Sequence, residues 1–247
     1  MAFQYFDIVG RVLTAVEEAE QEAMERSVEL LRACVLDKHA IWVFGASHAG
    51  IMTEELFYRA GGLMLVNPIF GRELMLDTEP ATHTSSMERL VGYGTQLAKD
   101  KAEFGPGDVL IAHSVSGRNP VTVEVAMEAK RAGAAVIALT NVAYSQSVLS
   151  RHPSGKRLYE VADIVLDNHG EVGDAAVPIV GVDQKVGPTS TVVGAAILNA
   201  IIAELVQRLV KGGMDCPPVF YSANLDGGDE LNRSLALEYA DCIHYRL

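Results

Sequence analysis

Residues 40–50 read Ala-Ile-Trp-Val-Phe-Gly-Ala-Ser-His-Ala-Gly, and the fold follows from this stretch. Ala40-Ile41-Trp42-Val43-Phe44 is a short, continuously apolar run that stops at Gly45. Such a run, bounded by a glycine, is a strand buried on both faces. A helical stretch follows, from about Ser47 to Ala60. Outward from here the alternation recurs. Leu63-Met64-Leu65-Val66 reads as a second strand, stopped by Asn67-Pro68. A polar stretch leads to a helix at about Ser86 to Lys101. Asp108 to Ala112 is a third strand, introduced by the turn Gly105-Pro106-Gly107, and a helix from about Pro120 to Ala132 follows it. Ala135 to Leu139 and Asp163 to Leu166 are the fourth and fifth strands. A Gly-rich loop, Gly170 to Gly187, precedes a long helix from Pro188 to Lys211. Five such strands alternating with helices predict an α/β, three-layer, doubly wound parallel sheet with right-handed crossovers, ordered 2-1-3-4-5.

Before this core, residues from about Asp7 to Leu36 carry Val9, Leu13, Val16, Ala19, Ala23, Leu30 and Cys34, mostly three or four apart, among many glutamates. The spacing predicts one long amphipathic helix. The chain therefore reads as a single domain with three parts: an N-terminal helix (1–38), a core (39–211) and a C-terminal extension (212–247). With 247 residues it can bury a sizeable core. Apolar residues are 49% and charged residues 21%, which excludes wholesale disorder. Twenty Lys and Arg against 32 Asp and Glu leave a net charge of −12, which argues against nucleic acid and anionic membrane as partners. The three cysteines, Cys34, Cys216 and Cys242, form no CxxC, and the histidines form no HExxH or HxH. No metal, no cofactor and no disulfide framework is expected. The first residues lack a basic segment followed by a long apolar one. The apolar stretch Val192 to Val210 is interrupted by Asn199, Glu204, Gln207 and Arg208. A cytoplasmic location without a membrane span is the expectation.

Ligands of an open parallel sheet bind beyond the carboxyl ends of its strands, at the point where the strand order reverses. Two strand ends are unusual here. The first reads Gly45-Ala46-Ser47-His48-Ala49-Gly50, and the third reads His113-Ser114-Val115-Ser116-Gly117-Arg118-Asn119-Pro120. Each places small hydroxyl residues in a tight turn before a helix, where free N–H groups and the helix dipole attract a tetrahedral anion. Either turn alone reads as capping, with Ser47 and Asn119 as N-caps and Pro120 at the first helical position. Two such turns on adjacent strands point to an anion site. Neither GxGxxG nor GxxxxGK[ST] is present, so the dinucleotide and P-loop readings fall away.

GASHAG, the SVSGRN turn and Gly187-Pro188-Thr189-Ser190-Thr191 together resemble the sugar isomerase (SIS) domain, from about Ile41 to Val210. The long N-terminal helix and the tail from Phe220 to Gly228 resemble an uncharacterised group within that family. Asn119 stands where the family commonly has Thr, with Arg118 beside it. The resemblance implies an anion cradle of Gly45, Ser47, Ser114, Ser116, Gly117 and Asn119, with Thr189 and Ser190 closing one side. Arg118 is either a charge-assisted anion contact or a solvated arginine at a helix start. Phosphate and sulfonate are equivalent tetrahedral acceptors for such a cradle.

The activity implied by the resemblance is aldose–ketose isomerisation of a sugar with a terminal phosphate or sulfonate. That reaction needs a base to move a proton between adjacent carbons and an acid to open the ring. Glu171, after the fifth strand, resembles the glutamate that SIS isomerases carry there, although sixteen residues separate it from Pro188. His48, His83 and Glu88 are the further candidates. His113 reads as a structural histidine. Two other readings stand beside isomerisation, an etherase (lyase) acting on a phosphosugar and a phosphosugar sensor without catalysis. The length and apolar stripe of the N-terminal helix predict a homodimer or a dimer of dimers.

Overall fold

The computed structural model describes residues 3–246. Five strands, β1 (Ile41–Gly45), β2 (Val66–Pro68), β3 (Val109–His113), β4 (Ala135–Thr140) and β5 (Ile164–Asp167), form one parallel sheet. Their order is β2-β1-β3-β4-β5, as the strand pattern implied. Side chains alternate between the two faces along each strand. Ile41 and Val43, Val109 and Ile111, and Ile137 and Leu139 face one buried layer. Trp42 and Phe44, Leu110 and Ala112, and Val136 and Ala138 face the other. The first layer is covered by α1 (Gln4–Ala19), α2 (Gln21–Leu36), α3 (Ile51–Leu56) and α8 (Ser190–Lys211). The second is covered by α5 (Tyr93–Lys101) and α6 (Pro120–Arg131). Helices α4 (Thr82–Met87) and α7 (Val142–Ser147) are short and lie in connections; α9 (Gly228–Glu238) belongs to the C-terminal segment. By length and composition α8 is apolar enough to cross a membrane. Here Val193, Ile197, Leu198, Ile201 and Leu205 are buried in the core.

Several elements depart from the sequence reading. The single N-terminal helix is two, broken at Glu20, whose Oε2 accepts the Asp167 N–H at 3.1 Å and whose Oε1 lies 2.9 Å from His169 Nε2. A glutamate that was one of many on a polar face is thus anchored to the end of β5. The helix placed at Ser47 to Ala60 is a 3₁₀ turn over Ser47–Gly50 followed by α3, which stops before an extended Phe57. The helix placed at Ser86 to Lys101 is broken at Gly92 (φ 91°). The N–H groups of Gly92, Gly94 and Thr95 at the start of α5 are taken by the buried carboxylate of Glu124 at 2.7, 2.8 and 3.2 Å.

The second strand is displaced along the chain. Val66-Asn67-Pro68 pairs with Ile41-Trp42-Val43, so the residues read as a stop are themselves the strand. Proline is tolerated because β2 is an edge strand, where a missing N–H breaks no ladder bond. The Gly-rich loop is a β-hairpin, β6 (Ala175–Ile179) and β7 (Val182–Pro188), turned at Val180-Gly181 with Gly181 at φ 80°. Tyr5 of α1 packs on its base, donating from its hydroxyl to Pro188 O at 2.7 Å. The C-terminal segment closes over the β2 edge: Asn67 Nδ2 donates to Cys242 O at 2.9 Å, and His244 N–H donates to Asn67 Oδ1 at 2.7 Å.

Candidate functional site

The carboxyl ends of β1 and β3 are neighbours, with Gly45 opposite His113. The turn after β1 is tight: a Cβ on Gly45 would lie 2.2 Å from Ala49 O, so only glycine fits. Ser47 has φ 52°, a strained left-handed conformation for a residue with a side chain. It is therefore not the N-cap expected, and its hydroxyl turns away from the helix. The turn after β3 also depends on a glycine. Gly117 has φ 59°, and a Cβ there would meet Ser145 Oγ at 2.8 Å. Asn119 does stand at the N-cap position of α6, with Pro120 first in the helix, but its side chain makes no capping bond. The N–H groups of Ser116, Gly117, Arg118 and Asn119 find no acceptor among the described residues. They line the start of a twelve-residue helix and are open to an anion.

What brings the two turns together is Glu88. Ser47 Oγ donates to its Oε1 at 2.5 Å, and Asn119 Nδ2 donates to its Oε2 at 2.6 Å. The Asn119 amide is oriented by its other end, where Oδ1 accepts from Arg151 Nη1 at 2.9 Å. Arg151 N–H in turn donates to Arg118 O at 2.9 Å. Burial and the positive charges of Arg118 and Arg89 push the Arg151 guanidinium below its ordinary pKa. Arg118 Nε is buried without an acceptor. Arg151 thus lies within electrostatic reach of two further guanidinium groups, on a protein with twelve more acids than bases.

His113 ties the turns from below. It is 1% exposed, its burial lowers its pKa, and Nδ1 lies 3.0 Å from Ala49 O. A carbonyl only accepts, so Nδ1 carries the proton and the ring is neutral. Nε2 is buried with no partner. Ser114 is also buried, and its carbonyl accepts from Thr140 Oγ1 at 2.7 Å.

The remaining sequence candidates make no hydrogen bond to Ser47, Glu88 or Asn119. Thr189 and Ser190 open α8, but their N–H groups donate to Asp174 Oδ1 at 3.1 and 2.8 Å, and Ser190 Oγ donates to Asp174 Oδ2 at 2.6 Å. A carboxylate of the chain itself occupies that helix start. Glu171 is half exposed and ion-paired with Lys185 of the hairpin. His48 is exposed. His83 lies with its Nε2 2.5 Å from Glu73 Oε2. The sequence reading missed Arg151, Arg89 and Asp174. Arg151 sits in Ser150-Arg151-His152-Pro153, a stretch whose spacing carries no signal. Among the described residues no cluster of three His, Cys, Asp or Glu is placed to hold a metal.

Comparison with known proteins adds the family. Residues 4–141 match the family model described as the SIS domain, a span that takes in both turns and ends before β5. The chain is 50% identical over 242 residues to the UPF0309 protein of Shouchella clausii and 46% identical to that of Oceanobacillus iheyensis. Each alignment covers 98% of both chains. This chain is a SIS-domain protein of the UPF0309 family. The SIS architecture is also seen in a phosphoheptose isomerase from Francisella tularensis, which superposes with a TM-score of 0.56 over 83% of this chain and 95% of the other. At 16% identity that likeness concerns the fold.

Proposed function

We propose that this SIS-domain protein binds a sugar carrying a terminal phosphate at the two turns and interconverts its aldose and ketose forms. The observation that carries the reading is the meeting of Ser47 and Asn119, from two different turns, on the Glu88 carboxylate at the switch point of the sheet, with Arg151 hydrogen-bonded behind Asn119. In the complex, the open N–H groups of Ser116 to Asn119 and the hydroxyls of Ser47, Ser114 and Ser116 hold the phosphate oxygens. Arg118 and Arg151 offset its charge. With one end of the sugar anchored, a carboxylate removes the C2 proton to form an enediolate and returns it to C1. We assign that role to Glu88. It touches two cradle residues, whereas Glu171 faces solvent in an ion pair with Lys185.

The test is exchange with solvent of the proton that moves, at C2 of an aldose phosphate or C1 of a ketose phosphate, followed by NMR in heavy water on a panel of both. The native protein exchanges the proton of at least one of them. Glu88→Gln slows exchange by about 10² to 10⁴, the usual cost of losing a positioned base, and Glu171→Gln does not. A native protein that binds a sugar phosphate without exchanging any carbon-bound proton is a sensor, and the isomerase reading then fails.

A further inference from the structure

The two donors that a ligand needs are already in use. Ser47 Oγ has a single proton, and it points at Glu88 Oε1; the Asn119 amide, turned by Arg151, points at Glu88 Oε2. The donors come from different turns, so the carboxylate spans the mouth between the ends of β1 and β3. Among the described residues no carboxylate comes within ion-pairing distance of Arg89, Arg118 or Arg151. Glu88 is close enough to act on Arg151 electrostatically without forming an ion pair with it. Its own carbonyl accepts from the Val121 N–H at 3.3 Å, which moors its backbone to α6.

We propose that Glu88 occupies the anion site as an internal stand-in for the ligand, and that a phosphate group displaces it by taking over Ser47 and Asn119. Resting on the anion-site reading above, this makes anchoring and activation one event. The carboxylate is released from its two hydrogen bonds only when a ligand holds the cradle. A carboxylate held by two donors cannot reach a substrate carbon, and the same group released beside a bound sugar can. An empty site is thereby kept closed to stray chemistry.

The experiment measures binding of inorganic phosphate by calorimetry. The informative variant is Glu88→Asp, which keeps the charge but withdraws the carboxylate by one methylene, too far to reach both donors. Displacement predicts that Glu88→Asp binds phosphate about tenfold more tightly than the native chain, roughly one net hydrogen bond of competition removed. Mere charge repulsion predicts no gain, because the charge is unchanged. Equal or weaker binding by Glu88→Asp overturns the proposal while leaving the anion site standing. Failure of the native chain and of Glu88→Asp alike to bind phosphate overturns the anion site itself. A second measurement uses the native protein alone. With ¹³C-labelled glutamate, saturation with phosphate moves the Glu88 carboxyl resonance toward that of a solvated carboxylate. An unmoved resonance in a phosphate-saturated protein also overturns displacement.

Discussion

His113 carries a pH dependence that can be read from its surroundings. Burial lowers its pKa in the folded chain, while the unfolded chain titrates near the ordinary value of about 6.5. Below that pH the unfolded state binds more protons than the folded one, so stability falls as the pH drops through about 6.5 toward the depressed value. The slope from one such proton is at most about 1.4 kcal/mol per pH unit. His113→Asn keeps an N–H where Nδ1 stood, able to reach Ala49 O, and does not titrate. Urea unfolding between pH 5 and 7 is therefore expected to show a flatter stability profile for this variant than for the native protein. A profile unchanged in slope would show that His113 does not titrate between the two states. At the same scale, the serines and Asn119 stood out because small polar residues cluster just before a helix at two strand ends. Glu88 was only one candidate among four, and Arg151 was invisible. Nothing local requires a residue at 88 to meet residues at 47 and 119.

Asp174 shows how an element changes the meaning of a motif. Gly187-Pro188-Thr189-Ser190 read as one side of the anion cradle, yet the hairpin of β6 and β7 folds back so that Asp174 at its base reaches the start of α8. The bonded carboxylate satisfies N–H groups that have no partner within the helix and complements its dipole. Asp174→Ala is expected to cost about 0.5–2 kcal/mol, as the loss of a helix cap does, and to speed amide exchange in the first turn of α8. Urea unfolding and hydrogen exchange measure the two effects. Unchanged protection of the amides at Thr189 and Ser190 would show that the helix start is held by something else. The hairpin was read as a loop because its glycines dominate the stretch, although Val177 and Ile179 already alternate as strand residues do. The N-terminal helix was read as continuous because its heptad-like spacing crosses Glu20 without interruption. Only the anchoring of Glu20 to the end of β5 distinguishes the break.

At the scale of the whole molecule, one hollow lies away from the strand ends. It is a groove of about 550 Å³ between α1, α2 and α8, lined by Leu13, Val16, Met24, Val28, Ile197 and Ile201. Phe3 and Phe6, at the start of α1, are 77% and 73% exposed and pack edge to face on each other. An apolar helix face of this extent is expected to be covered by a second copy of the chain. Light scattering at micromolar concentration should then report at least twice the 26.6 kDa of one chain, as a homodimer or a dimer of dimers. Leu13→Glu should shift the population toward the monomer. A native monomer under these conditions would sink the expectation.

The existence of five buried strands, their burial on both faces and the two tight serine-bearing turns were legible in the sequence alone. Each depends on short-range pattern: apolar runs of strand length, glycines where a Cβ would collide, and small hydroxyl residues before a helix. The tertiary structure decided which charged groups meet. It set Glu88 between Ser47 and Asn119, brought Arg151 onto Asn119, and gave the start of α8 to Asp174. The physical reason is range. Backbone conformation and burial are selected by neighbours along the chain, whereas a hydrogen bond or an ion pair acts between residues whose separation in sequence, 41 between Ser47 and Glu88, carries no imprint of their contact.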